Sequence, residues 1–138
     1  MRHKVYGKHL SRDKNQRNAL IKSLVRNFFL AEKIQTTKAK AQAIKGLVDK
    51  LINQAKVPSS QRHLSKFLAK EVSNKLIQDI APRFSDRVSG YASVIKLGKR
   101  AGDGTMMVQI SLVEGKKIAK SEVKETKTNK KKEVVAKK

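Results

Sequence analysis

Residues 91–113, YASVIKLGKRAGDGTMMVQISLV, decide the fold class of this chain of 138 residues. Met106, Val108, Ile110 and Leu112 recur every second position. Only a strand places such residues on one face. Tyr91 to Leu97 has the same strand-like composition. Gly98 to Gly104 lies between the two as a flexible basic connection that carries Lys99 and Arg100. The chain therefore ends its ordered part in two strands.

Upstream of Ser89-Gly90 the period is that of helices. Leu20, Leu24 and Phe28 step by four beside Ile21 and Val25, which predicts a helix from about Asp13 to Leu30 with Ser11 or Asp13 as its cap. Glu32 to Thr37 (EKIQTT) is short, alternating and ends in two β-branched residues, so it reads as a strand with Ile34 facing inward. Ile44, Leu47, Val48, Leu51, Ile52 and Ala55 then give the cleanest amphipathic stripe, on a helix from about Lys38 to Lys56. Gly46 inside it costs about 1 kcal/mol against Ala. Close approach of another helix or of RNA is one reason to keep it. Pro58-Ser59-Ser60 breaks the chain. Ser60 to Ala81 is helical in pattern, as one helix or as two meeting near Lys70, and Pro82 is expected to end it. The order α-β-α-α(-α)-β-β is that of an α+β domain. Its small mixed three-stranded sheet is covered on one side by three or four helices.

Both ends differ from this body, residues 13–115. Residues 1–12 lack apolar periodicity and read as an extended basic N-terminal arm. Residues 116–138 hold 10 Lys and 3 Glu with no aromatic and no Leu. Such a segment cannot bury enough surface to offset its ordering entropy, so a disordered Lys-rich tail is expected. No run of apolar residues is long enough for a membrane span, and Lys22 and Arg26 interrupt any signal-peptide core.

Charge is the strongest signal in the composition. The chain carries 33 Lys and Arg against 11 Asp and Glu, a net charge of +22, and charged residues make up 32% of it. Self-repulsion on this scale favours a polyanionic partner. The charge is spread along the chain rather than gathered on one amphipathic helix, which points to nucleic acid and not to a membrane. Aromatics are only 4%, there is no Cys, and no zinc-finger spacing, zipper heptad or stacking motif is present. Folded RNA read through phosphates and 2′-hydroxyls fits best. The candidate RNA-binding residues are Arg2, His3, Lys4, Lys8 and Arg12 in the arm and Lys14, Arg17, Lys22 and Arg26 on the first helix. Lys38 and Lys40 open the second helix, Arg83 and Arg87 follow the third helical stretch, and Lys96, Lys99 and Arg100 flank the last connection.

Catalytic readings find no support in the residues. His3, His9 and His63 have no metal-ligand spacing, and the carboxylates are too scattered for an acid/base pair. Asp79 and Asp86 read as caps or as partners of Arg83 and Arg87. A phosphate-binding P-loop needs Gly-Lys-Ser/Thr leading into a helix, whereas Asp103 and Thr105 follow Gly102 and Gly104 and a strand comes next. The connection is either a plain hairpin loop or one whose amides, Lys99 and Arg100 touch phosphates. The surplus of charge favours the second. Arg100 should matter more than Lys99, because its planar fork grips a phosphate with two bonds.

Four blocks resemble, in register, the bacterial large-subunit ribosomal protein seventeen family. They are Met1-Arg2-His3-Lys4 with Gly7-Lys8, Leu10 and Arg12; Glu32 to Thr37 followed by Ala39-Lys40-Ala41; Ala81-Pro82-Arg83-Phe84 with Arg87; and Lys96-Leu97-Gly98 through Arg100, Gly102 and Asp103, with Met107. The chain departs from the family at Gln16-Arg17, usually His-Arg. It departs again at Ser89-Gly90-Tyr91-Ala92-Ser93, usually Gly-Gly-Tyr-Thr-Arg, where one arginine is lost. The resemblance implies a non-enzymatic protein of the cytoplasmic ribosome. It would bind large-subunit rRNA near the exit side of the peptide tunnel, beside neighbouring large-subunit ribosomal proteins, with no cofactor and no small-molecule substrate. The alternative is an architectural protein that coats DNA or RNA non-specifically.

Overall fold

In the computed structural model residues 7–113 are described. Arg2, His3 and Lys4 of the expected arm, and the expected tail, lie outside them. The described chain forms α1 (Lys14–Ala31), β1 (Lys33–Thr37), α2 (Lys38–Lys56), a 3₁₀ segment (Pro58–Lys66) and α3 (Lys70–Lys75). A π-helical turn (Leu76–Ile80), α4 (Ala81–Arg83), β2 (Ala92–Lys99) and β3 (Met106–Leu112) complete it. The architecture is α+β, as the change of period predicts.

The sheet has the order β1-β3-β2 and is antiparallel throughout, not mixed. A short connection forces β2 and β3 to run in opposite directions. β1 then pairs with the free edge of β3, and Ile34 opposes Ile110. Val108 and Ile110 are buried against the helices, with Ile34, Met106 and Leu112 half-buried beside them. α2 lies at the centre and touches α1, all three strands, the 3₁₀ segment and α4. Its stripe, Ile44, Val48, Leu51, Ile52 and Ala55, is buried. α1 contributes Val25, Phe28 and Phe29.

Residues 58–83 form two helical stretches that meet at the extended Ala69, beside Lys70, as the second of the two expectations has it, but neither is a plain α-helix. A nine-residue 3₁₀ stretch, a short α-helix, a π turn and a last α turn follow one another. The π turn, in which the Ala81 N–H reaches the Leu76 carbonyl, resets the phase of the helix. Val72, Leu76, Ile80, Ala81 and Phe84 thus all stay in the core. Pro82 does not end the helix. It lies within an unbroken run of helical backbone, in which Ile80 and Ala81 are both right-handed, and the helix stops two residues later at Phe84. Two expectations at the start of the domain also change. Asp13 occupies the cap position of α1, but its side chain makes no cap hydrogen bond. Residues 9–12 form a turn rather than an extended arm, with the Arg12 N–H on the His9 carbonyl at 3.3 Å.

Glu32 joins the two halves of the fold. It ends α1 in the left-handed region at φ 59°, with its N–H on the Phe28 carbonyl at 2.7 Å. Its carboxylate accepts two bonds from the Arg83 guanidinium, at 2.8 and 2.9 Å, and lies 3.2 Å from Lys75. Arg83 also donates to Asp79, and Lys75 Nζ donates to the Leu30 carbonyl at the end of α1 at 2.7 Å. Two of the blocks that carry the family resemblance, Glu32–Thr37 and Ala81–Phe84, therefore meet in space. The Arg83 hydrogen bonds hold the Glu32 carboxyl below its ordinary value against an opposing effect of desolvation, and Lys75 adds to the lowering. A group with a lowered folded-state pKa contributes stability above its unfolded value, here 4.5, and loses it as pH falls through the folded value. Glu32→Gln should cost about 1–3 kcal/mol at pH 7 in urea denaturation. The gap to the parent should close on acidification, and a gap independent of pH would refute this role.

Candidate nucleic-acid interface

The ion pairs made by Glu32, Asp79 and Asp103 use Lys75, Arg83 and Arg100. Lys14, Arg17, Lys22 and Arg26 on α1, and Lys38, Lys40, Lys45 and Lys50 on α2, take part in none of them. Lys22 instead lies 5.7 Å from the centre of the Phe67 ring. The lysine stem covers apolar surface while its charge stays at the edge of the protein. These two helices thus present positive charge that the described fold does not neutralise.

The structure gathers part of this charge around a cleft of about 780 Å³ between the residues before α1, α1 itself and α2. Lys8, His9, Arg17 and Lys50 stand around it. Arg17 holds the entering chain in place. One of its terminal nitrogens donates to the Arg12 carbonyl at 3.1 Å and lies 3.5 Å from His9 Nδ1. Leu10 and Ser11, both left-handed at φ 55° and 48°, form the turn between the cleft-lining residues 7–9 and α1. Non-glycine residues enter that region at a cost, so the turn is a built feature. Lys50, His9 and Lys45 are absent from the residues selected on the sequence. The signal for Lys50 was its spacing, one helical turn beyond Gly46 on the same face.

The last connection is shorter than the sequence suggests. β2 continues through a bulge to Lys99, and Gly98 adopts φ 129° there, which a side chain would strain. The loop proper is 100–105. It is closed by the Arg100 N–H on the Thr105 carbonyl at 2.9 Å and the Gly104 N–H on the Arg100 carbonyl at 3.0 Å. Those two amides are therefore not offered to a phosphate. The Arg100 guanidinium rests on Asp103, which lowers the Asp103 pKa, with Thr105 adding to the effect. Lys96, Lys99 and Arg100 are all exposed, and Lys99 has no such carboxylate partner among the described residues.

The other selected residues are placed as follows. The Arg83 donors are taken by Glu32 and Asp79, so this side chain braces the fold. Arg87 is exposed and donates to the Gly90 carbonyl at 2.9 Å. Its own carbonyl belongs to a partly buried cluster around the hydroxyl of the buried Tyr91. The Tyr91 hydroxyl accepts from Lys56 Nζ at 2.8 Å and donates toward that carbonyl at 2.7 Å or toward Asn53 Oδ1. Arg12 spends one bond on the Leu10 carbonyl. Among the described residues no group of three or more His, Cys, Asp or Glu side chains could hold a metal ion. No described helix is long and apolar enough to cross a membrane.

Comparison with known proteins gives the family. The family model described as Ribosomal protein L17 matches residues 20–113, which span α1 through β3. A relative from Thermodesulfovibrio yellowstonii, named Large ribosomal subunit protein bL17, is 42% identical over 92% of this chain and 98% of its own length. Proteins of the same name from Hydrogenobaculum sp. and Borreliella burgdorferi are 42% and 44% identical, each over 83% of this chain and over 100% and 95% of their own lengths. Identity at this level along the whole arrangement of helices and strands makes the chain a member of the ribosomal protein L17 family.

Proposed function

We propose that this chain is a structural constituent of the large ribosomal subunit in the bacterial cytoplasm, where it binds and stabilises folded large-subunit rRNA through phosphate and shape contacts. The family is one of structural ribosomal proteins and not of enzymes. The observation that carries the rRNA reading is the set of cations on α1 and α2 that take part in none of the ion pairs among the described residues. Phosphates supply the opposite charge, and contacts of this kind set position and register on a folded RNA. Residues 1–12 and the Lys-rich residues 116–138 extend the same positive charge beyond the domain body, 13–115. The family resemblance supports a binding position near the exit side of the peptide tunnel.

The second surface is apolar. β2 is an edge strand, and it exposes Val94, Ile95 and Leu97. Apolar side chains together on an open edge favour a protein neighbour over RNA, so contact with neighbouring large-subunit ribosomal proteins is assigned to β2. Fractionated ribosomes test the whole reading. The chain should remain with the large subunit, in stoichiometric amount, after a high-salt wash. Release by the wash, with equal affinity for duplex DNA and for RNA, would favour the architectural alternative instead.

A further inference from the structure

We propose that the cleft between the residues before α1, α1 and α2 receives one unstacked nucleotide of the rRNA, its base against the Gly46 face of α2 and its phosphates against Lys8, Arg17 and Lys50. The inference rests on the rRNA-binding reading above. The cleft, about 780 Å³, falls in the range of small-molecule sites, roughly 300–1,000 Å³. Ile21 and Leu47, both half-buried, give it an apolar wall, and the cations stand around that wall. An apolar wall with positive charge around it suits a flat base attached to a charged backbone. Unstacked bases of RNA loops are recognised by stacking on aromatic rings, imidazoles or guanidinium planes with hydrogen bonds to their edges, and His9 and Arg17 bring an imidazole and a guanidinium to the cleft. Gln42, one turn before Gly46, also lines the cleft and offers both a donor and an acceptor.

Gly46 supplies the independent observation. It sits inside α2, where glycine is among the least favourable residues. Its backbone is ordinary helix, and a Cβ added there would meet nothing within 4 Å. Neither conformation nor packing of the described protein calls for glycine. A bound group lying directly on the helix backbone does. Gln42, Gly46 and Lys50 follow one another at intervals of four on one helix face, so edge recognition, bare backbone and charge are aligned.

Substitution at Gly46 separates binding from stability. Gly46→Leu removes no charge and improves helix propensity, so Tm should rise by about 4 °C. The side chain fills the space of the base, so affinity of the full chain for a folded large-subunit rRNA fragment should fall roughly tenfold or more. The salt dependence should keep its slope, because phosphate contacts remain. Asn74→Leu on α3, which also adds an exposed leucine, should bind like the parent. Gly46→Ala adds a single methyl group and should weaken binding less, with Tm again raised; it decides the matter if leucine disturbs the fold. Parent-like affinity in both Gly46 variants overturns the cleft site and leaves the rRNA reading standing. Failure of the parent chain to bind folded rRNA overturns that reading and the cleft with it.

Discussion

Affinity of the full chain for a folded large-subunit rRNA fragment should fall roughly 1,000-fold or more between about 50 and 200 mM salt. Each phosphate neutralised by Lys or Arg releases condensed counterions, so log K declines linearly with log salt, and on the order of six contacts gives that drop. The cations of α1 and α2 that pair with no carboxylate among the described residues are more numerous than this requires. A nearly flat salt response would contradict the electrostatic reading. Replacing Lys99 and Arg100 together by Ala tests one patch of that surface. Both are exposed, so the fold should change by no more than about 0.5 kcal/mol. The slope should shrink by up to roughly 1.8 units if each side chain contacts a phosphate. The sequence favours Arg100 as the stronger of the two. In the structure its fork already rests on Asp103, and a phosphate must displace that carboxylate, whereas Lys99 has no such competitor. Lys99→Ala alone is therefore expected to give at least half of the change. An unaltered slope in the double variant would make the loop an ordinary hairpin turn.

Leu51→Ala should destabilise the domain by about 2–5 kcal/mol. Leu51 is 3% exposed, at the centre of the α2 stripe. Removing its side chain forfeits both the transfer of apolar surface from water and the contacts around the cavity left behind. A domain of this size has roughly 5–15 kcal/mol in total, so the loss is a large share, and Tm should fall by at least about 8 °C. Leu47, one turn earlier, is only half-buried because it forms part of the cleft wall. Leu47→Ala should cost clearly less in calorimetry of the free protein. Equal losses at the two positions would mean that the cleft is closed in solution.

The α+β class, the stripe of α2, the inward face of β3 and the helix ahead of them were legible in the sequence. Each depends on a local period, 3.6 or 2, that side chains of one segment carry by themselves. The overall charge and the absence of metal and catalytic spacings were equally visible, since composition does not depend on folding. Partners were legible only in part: Asp79 reads from the sequence as a cap or a partner of Arg83, and the two do pair. Otherwise Arg83 and Arg100 look like Lys99 in the sequence, as cations suited to phosphate. Only the tertiary structure sets Glu32, 51 residues away, against Arg83, and Asp103 against Arg100. Over residues 58–83 the meeting of two helical stretches near Lys70 was among the readings of the sequence, but the 3₁₀ form of the first and the π turn in the second were not, because burial of Val72, Leu76, Ile80 and Phe84 around the core outweighs the preference for one regular helix. The pairing of β1 with β3 was hidden for a related reason: it joins segments about 75 residues apart, and such pairing is fixed by packing and free sheet edges rather than by either strand's own residues. Gly46 marks the boundary between the two kinds of knowledge. Its unfavourable place in a helix could be read from the sequence, but only the folded chain shows that no neighbour fills the space beside it.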